Sequence, residues 1–217
     1  MSCITKELIE QEKGIARLYY SSSLELYNHS LDVTAICESL GRRLEMCDTR
    51  SLCLGAFYHD FGKLFLEPTI LYKEGKLTEF EFNYVKSHTR VGARTLRERH
   101  YPQIAIHCAM FHHERLDGSG YYHRTELSDY IKILSLADSF SAVRAKRCYS
   151  GPVSDMDALT QLEEDQRVKG LFDEKVFDVF ANCAISGTLG FCDDFAREAT
   201  EREQRTASKT TDLCLFG

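Results

Sequence analysis

The chain has 217 residues, 43% of them hydrophobic and 28% charged, which is enough for one well-buried domain and short for two. A formal net charge of −6 argues against a nucleic-acid polymer as partner, because proteins that bind such polymers present a basic face. No uninterrupted apolar run approaches the ~18 residues needed to cross a bilayer, so we expect no membrane association.

The first part of the chain is predicted to be helical. Residues 1–20 are mixed and charged, and they are predicted to form a helix that packs on the domain or on a partner. Apolar residues between positions 22 and 44 recur at helical spacing. On that helix Glu25 and His29 lie four residues apart and therefore share one face. Taken alone, His29 is more typical of a satisfied core histidine than of a ligand.

The next segment carries the first adjacent pair of ligand-type residues. Residues 52–58 are predicted to form a short apolar helix that delivers His59 and Asp60 at its end. We expect Gly62 to break this helix. The two ligand-type residues and Lys63 would then lie around a tight bend.

A second adjacent pair of ligand-type residues, this time two histidines, follows further along the chain. The stretch 78–81 has the form of a capping box, which predicts the start of a helix leading towards His88. Residues 104–111 are predicted to form an apolar helix that ends at His112 and His113. A charged loop with two glycines comes next, and glycine allows the backbone to turn sharply there.

The stretch 128–143 is strongly apolar but contains one acid, Asp138. Burying an unpaired carboxylate is expensive, so a metal ion or a histidine is expected beside it. Residues 154–188 are predicted to form two closing helices. The sequence has no internal repeats and no convincing strand alternation, so the predicted class is all-α.

These ligand-type residues are interpreted as one site. Five imidazoles and two carboxylates exceed what one metal ion needs, whereas two metal ions bridged by a carboxylate use them fully. Nitrogen and oxygen donors without thiolate favour Fe, Mn, Co or Ni over Mg or Ca. Asp60 is the expected bridge, and Glu25 is either a ligand of a third metal ion or a hydrogen-bonding neighbour. The site comprises His29, His59, Asp60, His88, His112, His113 and Asp138.

Such a pair of metal ions, about 3.5–4 Å apart, is a recognised device for phosphoester hydrolysis because it yields hydroxide at neutral pH. Lys63, three residues after Asp60, is placed to add positive charge at the phosphorus. The alternative for Lys63 is a solvated surface charge. Arg147 is a second candidate phosphate contact, and an ordinary surface arginine is nearly as well supported.

Several stretches resemble the HD-GYP family, a subgroup of the HD-domain metallohydrolases. His-Asp-Phe-Gly-Lys at 59–63 resembles that family's His-Asp-x-Gly-Lys, and residues 68–88 resemble the segment that follows it. Residues 112–121 resemble the signature His-His-Glu-x-x-Asp-Gly-x-Gly-Tyr-Pro. Asp138 and residues 147–149 resemble the Asp and Arg-x-Tyr elements of the next helix.

The resemblance implies a helical bundle around a centre of two or three divalent metal ions, with iron or manganese as the usual metal. The implied activity is hydrolysis of cyclic di-GMP to pGpG and often GMP, by a hydroxide that bridges the metals. Together with the composition of the two ends, the resemblance predicts three parts of the chain: an N-terminal helical extension (1–20), an HD-GYP catalytic domain (21–190) and a polar C-terminal tail (191–217).

The resemblance assigns roles position by position. Asp60 and Lys63 take the catalytic roles. Lys63, Gly120, Tyr121 and Arg147 would meet the phosphates or guanines of the substrate. The implied metal ligands are Glu25, His29, His59, Asp60, His88, His112, His113 and Asp138.

The sequence also departs from the family pattern. Tyr122 stands where the family has the proline of its signature, so the loop loses a fixed φ. Ser141 stands where many members have a second aspartate, and Ser150 stands where a basic residue is common. These changes leave the metal set intact and leave open how the substrate is held.

Three functions therefore stay open. The first is an active phosphodiesterase for cyclic di-GMP or for another cyclic dinucleotide such as cyclic GMP-AMP. The second is a binding or regulatory module with little turnover, and the third is a different HD-type reaction on another nucleotide or with oxygen. The expected partners are a cyclic dinucleotide, a second copy of the chain and a regulatory protein. Nine cysteines without C-x-x-C spacing and without a signal peptide favour reduced thiols, and hence a cytoplasmic location.

Overall fold

The computed structural model describes residues 12–147 and 154–189, and helices supply the regular structure of these residues. They are α1 (Lys13–Ser22), α2 (Leu24–Arg43), α3 (Thr49–Tyr58), a 3-10 helix (Phe61–Phe65), α4 (Pro68–Leu71), α5 (Glu79–Lys86), α6 (His88–Glu98), α7 (Gln103–Phe111), α8 (Asp129–Arg147), α9 (Asp155–Lys169) and α10 (Glu174–Ile185). No strand occurs within the described ranges, so the predicted all-α class is confirmed. None of the helices described combines the length and apolar character needed to cross a membrane.

Local hydrogen bonds set the helix starts. The predicted capping box is present at α5: the Thr78 hydroxyl accepts from the Glu81 amide, and the Glu81 carboxylate accepts from the Thr78 amide. Ser23 and Asp48 cap α2 and α3 in the simpler way, each with one side-chain oxygen. Such caps satisfy backbone donors that the first turn of a helix leaves without partners.

Helix α3 is held on both sides, which fixes the turn that follows it. Leu52 and Ala56 pack into a hydrophobic cluster shared with α2, α8, α9 and α10. Cys53 and Phe57 pack into a second cluster with Tyr19 of α1 and with residues of α6 and α7. All five side chains are fully buried, and burying a leucine or phenylalanine contributes about 1.5–3 kcal/mol.

Helix α1 packs beside the turn that follows α3. The ring of Tyr19 stacks on that of Phe61, with centroids 5.6 Å apart. Just before α1, the Glu12 carboxylate accepts hydrogen bonds from the hydroxyls of Tyr58 and Tyr101, the latter at 2.7 Å. The start of the described chain is therefore tied to the end of α3.

The predicted division of the chain into three parts stays a prediction. Its first boundary, after residue 20, falls inside α1. Its second boundary, after residue 190, lies outside the described residues.

Candidate metal centre

Seven of the eight predicted ligands converge where α2, α6, α7, α8 and the turn after α3 meet. Their ligand atoms form two groups, and within each group all atoms lie within 4.8 Å of one another. Glu25 belongs to neither group; it lies exposed in the first turn of α2. The first group is Asp60, His88, His112 and His113, and the second is His29, His59 and Asp138.

Gly62 brings the turn that carries Asp60 against α6. A Cβ at position 62 would lie 1.9 Å from the carbonyl oxygen of His88 and 2.7 Å from the amide nitrogen of Gly92. Because both neighbours are backbone atoms, only glycine fits there. The sequence prediction that Gly62 breaks a helix is wrong: α3 already ends at Tyr58, and Gly62 lies within the 3-10 helix.

Backbone carbonyls orient three of the histidines. His59 Nδ1 lies 2.6 Å, and His88 Nδ1 2.7 Å, from the carbonyl oxygen three residues upstream. His112 Nδ1 lies 3.1 Å from the oxygen four residues upstream. A carbonyl oxygen only accepts hydrogen bonds, so each Nδ1 carries a proton, and Nε2 is the nitrogen that each ring turns to the centre. Hydrogen bonds of this kind are typical of metal-binding histidines.

The atoms that face the centre of the first group are acceptors. His88 Nε2 and His112 Nε2 lie 3.3 Å apart, and Asp60 Oδ1 lies 3.3 and 3.5 Å from them. Asp60 Oδ1 and His59 Nε2 are buried without a hydrogen-bond partner. Buried acceptors that face one another are unfavourable unless a cation lies between them. The cluster is therefore compatible with divalent metal ions.

Asp60 presents one oxygen to each group. Its Oδ1 faces the histidines of α6 and α7, whereas its Oδ2 lies 3.3 Å from His59 Nε2 and 3.7 Å from His29 Nε2. A carboxylate between two sets of ligands is the arrangement found at two-metal sites. This geometry supports the bridging role predicted for Asp60.

The second group is completed from α8. Asp138 Oδ1 lies 3.1 Å from His29 Nε2 and 3.7 Å from His59 Nε2. One turn later, Ser141 Oγ lies 3.0 Å from His29 Nδ1. The serine that departs from the family pattern thus provides the hydrogen bond that orients His29.

The charges around the centre favour a cation. Burial alone would raise the pKa of Asp60, but Lys63 and His59 outweigh it and hold that pKa well below its usual value. Burial lowers the pKa of His112 to about 4, so this imidazole stays neutral. Burial also acts to lower the pKa of His59, but Asp60 and Asp138 outweigh it and raise that pKa to about 10. The ionised carboxylates therefore require positive charge beside them, from an imidazolium or from bound cations.

Lys63 lies at the edge of the centre. Its Nζ donates to Asp60 Oδ2 at 2.5 Å, while 23% of its side chain is exposed. The predicted positive charge is therefore present beside Asp60 and within reach of solvent. Arg147 ends α8, and its side chain lies outside the described residues, so its predicted contact stays a prediction.

The loop that covers the centre, residues 114–124, folds back on the histidine pair. A Cβ at Gly120 would lie 2.5 Å from Glu114 Cα and 2.8 Å from the carbonyl oxygen of His113. Glycine at this position therefore lets the covering loop lie directly on the backbone beneath it. As a result, the ring of Tyr121 lies with its centroid 4.5 Å from that of His113.

Three residues near the centre were not predicted from the sequence. The Phe82 ring lies 5.8 Å from that of Tyr121, and Lys86 Nζ lies 5.2 Å from the centre of the Tyr121 ring. Glu114 is fully buried and accepts two backbone hydrogen bonds from the covering loop. Its place directly after the histidine pair was a usable signal, whereas Phe82 and Lys86 reach Tyr121 only through the fold.

The comparisons with known proteins agree with this geometry. The HD domain family pattern matches residues 11–176. The chain is 33% identical over 160 residues to a cyclic di-GMP phosphodiesterase of Pseudomonas aeruginosa, covering 71% of this chain and 38% of that protein. It is 31% identical over 181 residues to the 3'3'-cGAMP-specific phosphodiesterase 1 of Vibrio cholerae, covering 80% of this chain and 41% of that protein. The chain thus spans about two fifths of the length of these relatives.

The fold has a known counterpart as well. The crystal structure of the L. monocytogenes phosphodiesterase PgpH HD domain in complex with cyclic-di-AMP superposes with a TM-score of 0.63. The sequences are 20% identical, and the match covers 79% of this chain and 94% of that chain, so the likeness concerns the fold. The chain belongs to the HD domain family, and its motifs and relatives place it in the HD-GYP group of that family.

Proposed function

We propose that this chain is a metal-dependent phosphodiesterase that hydrolyses cyclic di-GMP to pGpG, GMP or both, with iron or manganese as its metal. The observation that carries the proposal is the pair of ligand groups on the two oxygens of Asp60. Bound divalent cations at such positions supply Lewis-acid chemistry, activating water and neutralising phosphate charge. The names of the two relatives support the substrate class.

The ligand roles follow from the two groups. The first metal ion would take the first group and the second metal ion the second, with Asp60 shared between them. Glu25, one turn before His29 on α2, is the candidate for a third position. Metal ions would bind these residues as neutral imidazoles and ionised carboxylates, so at His59 a bound cation would replace a proton.

The remaining predicted residues act on the substrate. Lys63 balances the charge of Asp60 and holds a phosphate oxygen. The ring of Tyr121, beside His113, is the proposed contact for a guanine. Stacking of a base on an aromatic ring is worth about 1–3 kcal/mol. Gly120 lets the covering loop bring that ring down to the centre, and Arg147 is the predicted second phosphate contact.

The test is turnover by protein purified without oxygen, with its metal ions counted. It is incubated with cyclic di-GMP, and the products are separated by chromatography. We expect pGpG or GMP from the wild type and none from His59→Ala. His107→Ala, which removes an exposed histidine of α7, is the matched control and should retain turnover. Turnover that survives His59→Ala would contradict the proposal.

Cyclic GMP-AMP is the second candidate substrate. The relative named for that substrate covers 80% of this chain, more than the 71% covered by the cyclic di-GMP relative. Supplying both cyclic dinucleotides together at equal concentration gives the ratio of their kcat/KM values directly. Binding of either one without product, in fully metallated protein, would favour the alternative of a regulatory module.

The assembly and location of the chain stay predictions. A homodimer and a regulatory protein partner are both expected, and light scattering of the purified chain tests the first. The cysteines of the described residues, Cys37, Cys47, Cys53, Cys108 and Cys183, are free thiols, which supports the proposed cytoplasmic location.

A further inference from the structure

Two backbone amides of the covering loop, those of Tyr122 and Arg124, are bound by Glu114. Glu114 is fully buried, and its Oε1 accepts a hydrogen bond from the Tyr122 N–H at 2.9 Å. Its Oε2 accepts from the Arg124 N–H at 2.8 Å. A buried carboxylate must have its hydrogen bonds satisfied. The proline found here in the family pattern has no N–H, so it would leave Glu114 short of one donor.

The side chain of Tyr122 ties the covering loop to α6. Its hydroxyl lies 2.6 Å from Thr89 Oγ1, and Thr89 is fully buried next to His88. The Thr89 hydroxyl donates its one proton to the carbonyl oxygen of Lys86 at 3.0 Å. The Tyr122 hydroxyl is therefore the donor in the bond to Thr89.

The ring of Tyr122 makes further contacts. It packs edge-on against Phe111, with centroids 5.9 Å apart, at the end of the helix that precedes the histidine pair. Lys86 Nζ and the Arg90 guanidinium each lie 5.4 Å from its ring centre. Tyr122 is thus held at its amide, its hydroxyl and its ring.

These contacts restrict where the neighbouring Tyr121 can lie. Gly120 on its other side already touches the backbone beneath it, so the covering loop cannot sink further. Lys86 donates to the Tyr121 carbonyl oxygen and also lies over its ring. The distance between the Tyr121 ring and the metal centre therefore depends on where Tyr122 is anchored.

We propose that Tyr122 is a positioning residue that sets, through Thr89, the gap between Tyr121 and the metal centre and so determines how tightly the substrate is held. The inference rests on the proposed function, because it assumes that a cyclic dinucleotide base lies against Tyr121. On this proposal, Tyr122 holds the covering loop in place at the position where the family pattern has proline.

The experiment compares Tyr122→Phe, Thr89→Val and the double variant in the fully metallated chain. Each single variant removes the bond between Tyr122 and Thr89, and Thr89→Val also removes the bond to the Lys86 carbonyl oxygen. We expect KM for cyclic di-GMP to rise about five- to tenfold in both. The double variant should add little, because the bond is already lost. kcat should change much less than KM. Tyr122→Pro, which also removes the amide donor, should raise KM further.

Tyr72→Phe is the matched control. It also removes a tyrosine hydroxyl that makes one hydrogen bond, at 2.8 Å to Ser23, in an exposed part of the chain. Its KM should equal that of the wild type. Circular dichroism and metal counting on every variant detect loss of folding or of the centre.

Two results would overturn the proposal. One is an unchanged KM in Tyr122→Phe and Thr89→Val, and the other is a fall in metal content or kcat as large as the rise in KM. Failure of the proposed function would look different, because the wild type itself would then give no product. In that case the dissociation constant of cyclic di-GMP, measured by calorimetry on the same variants, replaces KM, and equal values across the set refute the role of Tyr122.

Discussion

The metal centre and the covering loop are held in different ways. In the centre, His59, His88 and His112 are oriented by carbonyl groups three or four residues upstream, so each is oriented by the segment of chain just before it. In the covering loop, Tyr122 is held by Thr89, 33 residues away in the sequence. Local contacts form together with the helix, whereas distant contacts require that the elements have already docked. The orientation of these three imidazoles is therefore set locally, whereas the bond between Tyr122 and Thr89 depends on how the covering loop docks on α6.

Because the metal centre and the covering loop are held by different contacts, we expect substitutions in the centre to affect turnover and those in the covering loop to affect substrate affinity. Changes to the metal ligands should alter metal content and turnover together, because the two ligand groups share the carboxylate of Asp60. Changes in the covering loop should alter affinity while the centre stays intact. Each of the following substitutions tests one side of that separation.

Asp60→Ala should have the largest effect, because it removes the carboxylate that both ligand groups share. We expect both metal ions to be lost and turnover of cyclic di-GMP to fall at least ~10³-fold. Elemental analysis and product chromatography measure the two losses. Asp165→Ala, which removes a partly exposed carboxylate of α9, should keep both. Metal retention together with normal turnover in Asp60→Ala would end the idea of a shared ligand.

The sequence was sufficient to predict what is local. Apolar spacing located the helices, and the capping box at Thr78 is present as predicted. The sequence also indicated the residues that converge at the centre, because adjacent pairs such as His59 and Asp60 at a helix end can be recognised before the fold is known. Glu25 was predicted from its face on α2, but that face alone does not say where the helix start lies relative to the centre, and Glu25 is exposed.

What the sequence could not supply depends on packing between distant segments. A glycine after a helix can either end the helix or allow the backbone to lie close to another helix. Only the position of α6 shows that Gly62 does the latter. Phe82 and Lys86 meet Tyr121 for the same reason. The division of the ligands between the two oxygens of Asp60 was likewise not readable from spacing.

Lys63→Met should have the second-largest effect, because it keeps most of the length of the side chain and removes the charge beside Asp60. We expect kcat to fall about 10²-fold, with both metal ions retained, since the lysine is proposed to act on the phosphate. Steady-state kinetics and metal counting on the same sample give both values. Lys169→Met removes an exposed charge on α9 and is the control. A parallel loss of metal would instead assign Lys63 to the support of Asp60.

Ser141→Ala tests the exception within the centre. His29 is oriented by a hydroxyl from another helix, whereas the three histidines above use their own upstream carbonyl groups. We expect a tenfold or greater weakening of one metal position, about the effect of removing such a hydrogen bond at other metal sites, and little change at the other position. Titration with a competing chelator separates the two affinities. Ser21→Ala, at an exposed serine, is the control, and equal weakening of both positions would contradict the division into two groups.

Glu81→Gln should have the smallest effect, and it concerns the helix that presents Phe82 and Lys86 to the covering loop. The Lys73 ammonium and the Thr78 amide lower the pKa of Glu81 to about 2. A carboxylate whose pKa is lower in the folded state stabilises the fold above its ordinary pKa of about 4.3, and that contribution is lost as the pH falls towards 2. We therefore expect Glu81→Gln to lower Tm slightly at pH 7, and the difference from wild type to shrink at pH 3. Glu164→Gln, at an exposed glutamate of α9, controls for the loss of one charge. A Tm difference that does not change with pH would mean that the charge of Glu81 does not stabilise α5.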